Sequence, residues 1–225
     1  MTCSRATELR FVLTRCGDDL LSLSVVSPSD AQALAAHLRE NGAWIDVVAG
    51  IDSVVVHFDA ARHDAASVQQ QIEKIVGSGI PPLQEFDDLL EIPVVYGGEF
   101  GPDLDDLCGE LGLSREEFIN LHTGTEYRVD MVGFTPGFAF VGGLDERLHT
   151  PRRSEPRQRV EAGSIGIADG RTGLYALASP GGWSLVGRTP VKLFDAEAAQ
   201  PFTIRAGMRV RFHAISVVEA GEFGA

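Results

Sequence analysis

Apolar and polar residues alternate in two runs near the start of the chain, Leu9–Leu13 and Leu20–Val26, joined through Cys16-Gly17-Asp18-Asp19. Alternation sends successive side chains to opposite faces of an extended chain, so both runs predict strands. The period then changes. Ala31, Leu34, Ala35 and Leu38 recur at helical spacing behind Ser27-Pro28-Ser29-Asp30, which offers an N-cap, a proline in the first turn and an acid three residues after the cap. Asn41-Gly42 predicts the end of that helix. Two β-branched runs, Trp44–Ala49 and Ser53–Phe58, flank Gly50-Ile51-Asp52 as a hairpin, and Asp64 caps a second helix carrying Val68, Ile72, Ile75 and Val76. Pro81-Pro82 and the acidic stretch Glu85–Asp88 read as a linker.

Beyond residue 90 the pattern shifts again. Ile92–Tyr96 predicts a strand, and the turn-rich Gly97-Gly98-Glu99-Phe100-Gly101-Pro102 follows it. One short helix is capped by Asp103 and ends at Gly112; the next opens with the capping box Ser114-x-x-Glu117 and runs to about His122. The rest is short β-like pieces: Glu126–Phe134, Val160–Ala168, Gly173–Ala178, Trp183–Gly187, Val191–Phe194 and Met208–Val218. Short strands with turn signals about every 10 residues predict a barrel or sandwich. The expected organisation is α+β in two domains. Residues 1–88 form a small α/β domain whose element order resembles a ferredoxin-like sandwich, and residues 89–225 form a mainly β domain.

Composition narrows the function classes. A net charge of −13 disfavours nucleic acid and anionic membranes as partners. No apolar run approaches the ~20 residues of a membrane span, and the first ten residues lack a signal-peptide core, so a cytoplasmic protein is expected. Cys3, Cys16 and Cys108 fit neither a disulfide framework nor a metal knuckle, and the histidines lack zinc-hydrolase spacing, so no metal site is expected. Only Lys74 and Lys192 are lysines, and neither stands in a P-loop. One segment opposes the sign of the whole: residues 151–192 carry seven basic and three acidic side chains.

Candidate chemistry gathers in and around that segment. Gly133-Phe134-Thr135-Pro136-Gly137-Phe138 predicts a type II turn at Pro136-Gly137, with Phe134 and Phe138 lining either a pocket wall or a barrel corner. Pro151-Arg152-Arg153-Ser154-Glu155-Pro156-Arg157-Gln158-Arg159 is a proline-stiffened strip. If extended, it would put Arg153, Arg157 and Arg159 on one side, to grip an oxyanion or to pair with the protein's own acids. Gly181-Gly182-Trp183 and Arg188 join glycine-rich backbone to an aromatic and a cation, a second place for an anion. His122, at a helix end, has the pKa range of a general acid or base; a helix cap is the plainer reading.

The same segments carry a resemblance. Gly97-Gly98-Glu99-Phe100-Gly101-Pro102-Asp103-Leu104, Leu121-His122-Thr123, Tyr127-Arg128-Val129 and Gly133-Phe134-x-Pro136-Gly137-Phe138 occur in order, followed by Gly142-Gly143-Leu144. Thr150-Pro151-Arg152-Arg153-x-x-Pro156-Arg157-x-Arg159-Val160, Ala162–Ala168, Ser179-Pro180-Gly181-Gly182-Trp183 and Gly187-Arg188-Thr189-Pro190 complete the series. Together they strongly resemble the family of the 5-oxoprolinase B-subunit, also known as allophanate hydrolase subunit 1, which includes a sporulation-kinase inhibitor. The detailed match spans roughly residues 90–195. Thr135, Ala139-Phe140 and Val95 depart from residues common in the family, at positions able to tune a pocket.

The resemblance implies a cyclophilin-like β-barrel in the C-terminal domain. It also implies a hetero-oligomer with a cyclophilin-like partner, the homologue of allophanate hydrolase subunit 2, and a lactam-handling third subunit. That complex would be an ATP-dependent hydrolase of cyclic amides, opening 5-oxoproline to glutamate. ATP, with Mg2+, would bind at a site shared with or carried by the partner. Phosphorylation of the lactam oxygen calls for cationic donors, a demand that Arg153, Arg157, Arg159 and Arg188 match, with Arg157 central and His122 handling a proton. Phe134, Pro136, Gly137, Phe138, Gly181, Gly182 and Trp183 would complete the site. Two other readings fit the family: a regulator that inhibits a sensor histidine kinase, and a carboxyltransferase-type component of a urea carboxylase or allophanate hydrolase system.

Overall fold

Alternation in the N-terminal part becomes a sheet with one face covered. A computed structural model of the chain describes residues 11–82 and 89–222. It divides into two compact units, Met1–Glu85 and Phe86–Ala225. The first holds β1 (Val12–Arg15), β2 (Leu20–Ser24), α1 (Pro28–Asn41), β3 (Asp46–Ala49), β4 (Ser53–His57) and α2 (Ala65–Gly77). Its sheet has the order β1-β2-β4-β3, and every pairing is antiparallel. Leu21, Leu23, Val47, Val54 and Val56 are buried together with the apolar stripes of the helices, Ala31, Leu34, Ala35 and Leu38 from α1 and Val68 and Ile72 from α2. Strand period 2 and helix period 3.6 thus meet in one core.

Both helix starts are as expected. The Ser27 hydroxyl accepts from the Asp30 N–H at 3.2 Å, and the Asp64 carboxylate accepts from the Ser67 N–H at 2.9 Å. Gly42 does end α1, but its φ of −144° is ordinary extended backbone. The glycine is needed for space, because a Cβ there would lie 2.1 Å from the Trp44 indole. The first two residues of the expected strand Leu9–Leu13, and the acidic stretch Glu85–Asp88 read as a linker, lie outside the described residues.

The second unit opens with β5 (Leu89–Tyr96), α3 (Leu104–Leu111) and α4 (Arg115–Thr123), where the Ser114–Glu117 capping box is present. β6 (Tyr127–Val132), β7 (Ala139–Gly142), a 3-10 turn at Glu146–Leu148, β8 (Arg157–Val160), β9 (Ser164–Ala168) and β10 (Arg171–Leu174) follow. β11 (Ser179–Gly181), β12 (Ser184–Arg188), β13 (Arg209–Ala214) and α5 (Val217–Glu222) complete it. Among the described residues, seven strands close a barrel in the order β10-β7-β6-β13-β5-β12-β9, with β5 and β13 parallel. Ile92, Val94, Val129, Val141, Ile165, Ile167, Val186 and Phe212 fill it. No helix of the described residues is long and apolar enough to cross a membrane.

Several expected strands differ. Gly173–Ala178 ends four residues early, at Leu174 in β10. Val160–Ala168 is not continuous: its first residue ends β8, which pairs with β11 in a separate two-stranded ribbon, and the barrel strand begins only at Ser164. Met208–Val218 stops at Ala214 and turns into α5. Val191–Phe194 gives a single bridge, Phe194 to Phe202. β7 went unread because its Ala139-Phe140-Val141 follows directly on the aromatic turn and presents no polar alternation of its own.

Candidate functional site

The turn after β6 forms as expected. The Phe138 N–H donates to the Thr135 carbonyl at 3.1 Å, and Gly137 takes φ +76°, the value required at the third position of a type II turn. The two flanking phenylalanines part company. Phe138 is buried, whereas Phe134, itself held at φ +72°, is 68% exposed. A non-glycine residue in that left-handed region costs on the order of 1–3 kcal/mol, so the surrounding fold imposes the position of the Phe134 ring.

Phe138 anchors a cluster with Val160, Ala168, Tyr175, Trp183 and Leu185, against which Phe140 packs. Its ring meets Tyr175 at 4.8 Å and 88°, Trp183 at 5.7 Å and 80°, and Phe134 at 5.7 Å and 81°. Such edge-to-face contacts contribute about 0.5–1.5 kcal/mol each beyond the area they bury. Gly173 in β10 makes room for them: a Cβ there would stand 2.7 Å from Phe138 and 2.8 Å from Trp183. Gly173→Ala is therefore expected to lower stability by about 1–3 kcal/mol through overpacking, checked by chemical denaturation.

These rings line a cavity of about 140 Å3 together with Arg152, Arg153, Pro156 and the Gly181-Gly182 backbone. Three segments far apart in sequence meet here: the Pro-Gly turn, the arginine strip and the glycine-rich loop before Trp183. Arg152 and Arg153 also line an adjoining polar recess of about 340 Å3, with Ser184, Glu110 and Glu155. The arginine pair thus stands at the junction of an apolar and a polar compartment.

Asp103 sets the arginines, and the sequence showed it only as a helix cap. It does precede α3, yet its side chain makes no capping bond. One carboxylate oxygen accepts from Arg153 at 2.9 Å and Arg157 at 2.7 Å; the other accepts the Leu185 N–H at 2.7 Å. At 7% exposure it is a buried anion shared by two cations and one amide. Arg152 pairs separately with Asp169 at 2.7 Å.

The expected single-sided row of Arg153, Arg157 and Arg159 does not form. Arg153 reaches the cavity, Arg157 lies behind it on Asp103, and Arg159 turns out to an exposed pairing with Glu161 at 2.7 Å. Nearby carboxylates, rather than strand alternation, decide where each guanidinium goes. Arg188 is not in the cavity wall; it sits over the Phe100 ring, 5.8 Å from the centroid.

His122 is fully buried. Nδ1 bonds the Tyr96 hydroxyl at 2.5 Å and Nε2 the Thr172 hydroxyl at 3.0 Å, and Phe212 stacks on the ring at 4.6 Å. Desolvation pushes its pKa down to about 3, so the imidazole is neutral and sealed from any substrate near neutral pH. Burial likewise pushes the Tyr175 phenol up to about 12, against the opposing charges of Arg152 and Arg157; it stays protonated as part of the wall.

Phe140, Tyr175, Arg152 and Asp103 are thus the site residues that motif reading missed. Arg152 stood in the arginine strip, Asp103 before a helix and Phe140 among the departures from the family pattern, whereas Tyr175 gave no sign. Among the described residues, no group of three or more His, Cys, Asp or Glu side chains could hold a metal ion.

Residues 9–204 match the model of the carboxyltransferase domain, subdomain C and D. The chain is 52% identical over 184 residues to the B-subunit of 5-oxoprolinase from Escherichia coli O157:H7, covering 80% of this chain and 82% of that one. It is 36% identical over 226 residues to the corresponding 5-oxoprolinase B-subunit of Bacillus subtilis (strain 168), covering 92% and 94%. The crystal structure of TTHA0988 superposes with a TM-score of 0.74 at 32% identity, covering 88% of this chain and 40% of that longer one.

Proposed function

Since the chain belongs to the 5-oxoprolinase B-subunit (allophanate hydrolase subunit 1) family, we propose that it is one component of an ATP-dependent hydrolase that opens 5-oxoproline to glutamate. The observation that carries this reading is the cavity that aromatic rings line together with Arg152 and Arg153. A five-membered lactam bearing a carboxylate has apolar methylenes for the rings and an anion for the arginines. We read the barrel from residue 89 onward as the cyclophilin-like domain carrying the site, and residues 1–88 as a ferredoxin-like companion.

In the proposed sequence the lactam carbonyl oxygen attacks the γ-phosphorus of ATP and ADP leaves. Water then adds to the activated carbon, the ring C–N bond breaks, and hydrolysis of the phosphoryl group releases phosphate. Arg152 and Arg153 hold the anionic substrate; Arg157 positions Arg153 through their shared carboxylate. His122 belongs to the barrel interior and moves no proton for the substrate. The cationic side chains fit phosphoryl oxygens, and no step is assigned to Mg2+ on this chain. ATP is placed at a site shared with or carried by a cyclophilin-like partner, the allophanate hydrolase subunit 2 homologue, with a third, lactam-handling subunit completing the complex. A cytoplasmic setting would keep the free thiols of Cys16 and Cys108 reduced.

The test is 5-oxoproline-stimulated ATP hydrolysis by the chain co-purified with that cyclophilin-like partner and supplied with the third subunit. Arg153→Ala in the assembled complex is expected to lower turnover about 10–100-fold, the effect of losing one or two charge-assisted hydrogen bonds. A correctly assembled complex without 5-oxoproline-dependent turnover overturns the assignment.

A further inference from the structure

The polar recess of about 340 Å3 carries charges of both signs, and the two signs differ in what they already touch. Arg152 gives its Nε–H to Asp169 at 2.7 Å, and Arg153 gives one Nη–H to Asp103 at 2.9 Å. Each cation thus has a counter-ion outside the recess lining, with further N–H groups left to donate. Glu110 and Glu155 are the carboxylates of the lining, and neither has a hydrogen bond or ion pair with a described residue. The unmatched charge of the recess is therefore negative.

The surroundings of the two acids reinforce this. Glu110 stands in the last turn of α3, which holds no basic residue. The carbonyl end of a helix is already negative, so a carboxylate there adds to the field instead of relieving it. Glu155 precedes Pro156, which confines its backbone to extended conformations. The strip that carries it is pinned twice: the Arg153 N–H donates to the Gly182 carbonyl at 2.7 Å, and the Thr150 carbonyl accepts from the Asp169 N–H at 2.8 Å. Ser184 of β12 adds a neutral group to the lining. It is 9% exposed, and its hydroxyl has no partner among the described residues.

We propose that this recess binds a free α-amino acid, its ammonium group held by Glu110 and Glu155 and its carboxylate by the open N–H groups of Arg152 and Arg153. A lone anion would meet two unpaired acids there, and a simple amine would leave the arginine donors unused; a zwitterion matches both. Naming the amino acid as glutamate rests on the 5-oxoproline reading. Opening the lactam turns an uncharged amide into a carboxylate and an amine, and the amine is protonated near neutral pH. The lining of the aromatic cavity contains two arginines and no acid, so the new ammonium group has no counter-ion in it. Arg152 and Arg153 border both compartments. The product can keep a carboxylate on them while its ammonium end moves across to the acids, which clears the cavity for the next lactam.

The experiment is calorimetric titration of the purified full chain with L-glutamate, glutarate and 5-oxoproline, on wild type, the double variant Glu110→Gln/Glu155→Gln and the remote control Glu40→Gln. Both substituted side chains are exposed, so the double variant keeps the fold. L-Glutamate is expected to bind saturably, about 10–100-fold more weakly to the double variant and unchanged to the control. Glutarate has both carboxylates but no ammonium group; it is expected to bind wild type at least about tenfold more weakly than glutamate and to lose nothing in the double variant. No saturable glutamate binding, glutamate binding indifferent to the double variant, or glutarate binding as tight as that of glutamate overturns the site. 5-Oxoproline, whose nitrogen is uncharged, is expected to bind wild type and double variant alike. Glutamate binding through the two acids in a chain whose assembled complex does not turn over 5-oxoproline leaves the amino-acid site standing and removes the lactam reading. Turnover of 5-oxoproline without glutamate binding does the reverse.

Discussion

Asp103→Ala is expected to destabilise the barrel by about 3 kcal/mol, a fall in melting temperature of about 6–12 °C for a chain of this size. The carboxylate is nearly buried and accepts from Arg153, Arg157 and the Leu185 amide. Its removal leaves a buried N–H without an acceptor and one buried guanidinium, Arg157, short of a partner. Arg153 is more than a third exposed and recovers part of its loss from water, which keeps the estimate below the full range for breaking a buried pair. Asp103→Asn retains one acceptor for Leu185 and is expected to lose about half as much. Turnover of the assembled complex should fall with either substitution, because Arg153 loses the carboxylate that aims it at the cavity. Thermal melts of the two variants and the wild type check the prediction, and a loss under about 1 kcal/mol for the alanine variant would refute the role of Asp103 as a clamp.

Acid should destabilise the protein through His122 before most carboxylates titrate. The folded-state pKa is depressed to about 3, against an ordinary value near 6.5. Between those values the unfolded chain takes up a proton that the folded chain excludes, so stability is fully present above about pH 6.5 and lost as pH falls toward 3. Each pH unit in that window removes about 1.4 kcal/mol, roughly 2 kcal/mol by pH 5. His122→Gln keeps a hydrogen-bonding side chain between the Tyr96 and Thr172 hydroxyls but cannot titrate. It is expected to be less stable at pH 7 and to show a flatter dependence between pH 6.5 and 5. Urea denaturation at several pH values measures both slopes, and equal slopes would show that His122 is not the excluded proton site.

The helices were legible because their signals are local. Ser27, Asp64 and the Ser114–Glu117 box act within one turn of their own backbone, and the stripes Ala31–Leu38 and Val68–Ile72 carry the helical period. The aromatic turn was legible for the same reason, since Pro136 and Gly137 each restrict their own dihedral angles. Strand boundaries were less so. Nothing within Val160–Ala168 shows that Val160 pairs with Ser179 in a ribbon while Ile167 pairs with Ser184 in the barrel, because those partners arrive later in the chain.

The two-part α/β and β organisation, the type II turn, the three segments that build the cavity and the family all follow from the order of residues alone. Each rests on short-range dihedral preferences, hydrophobic period or ordered motifs. Which arginine does what was settled only by packing. Arg153, Arg157, Arg159 and Arg188 are alike as residues, and their fates diverge because one meets the cavity, one the buried Asp103, one the exposed Glu161 and one the Phe100 ring. His122 is decided in the same way: an imidazole is a proton carrier or a core residue according to whether water reaches it. The settings of His122, Arg153 and Arg157 are properties of the packed chain, since they depend on residues 50 or more positions away, whereas Arg159 takes a carboxylate two residues along.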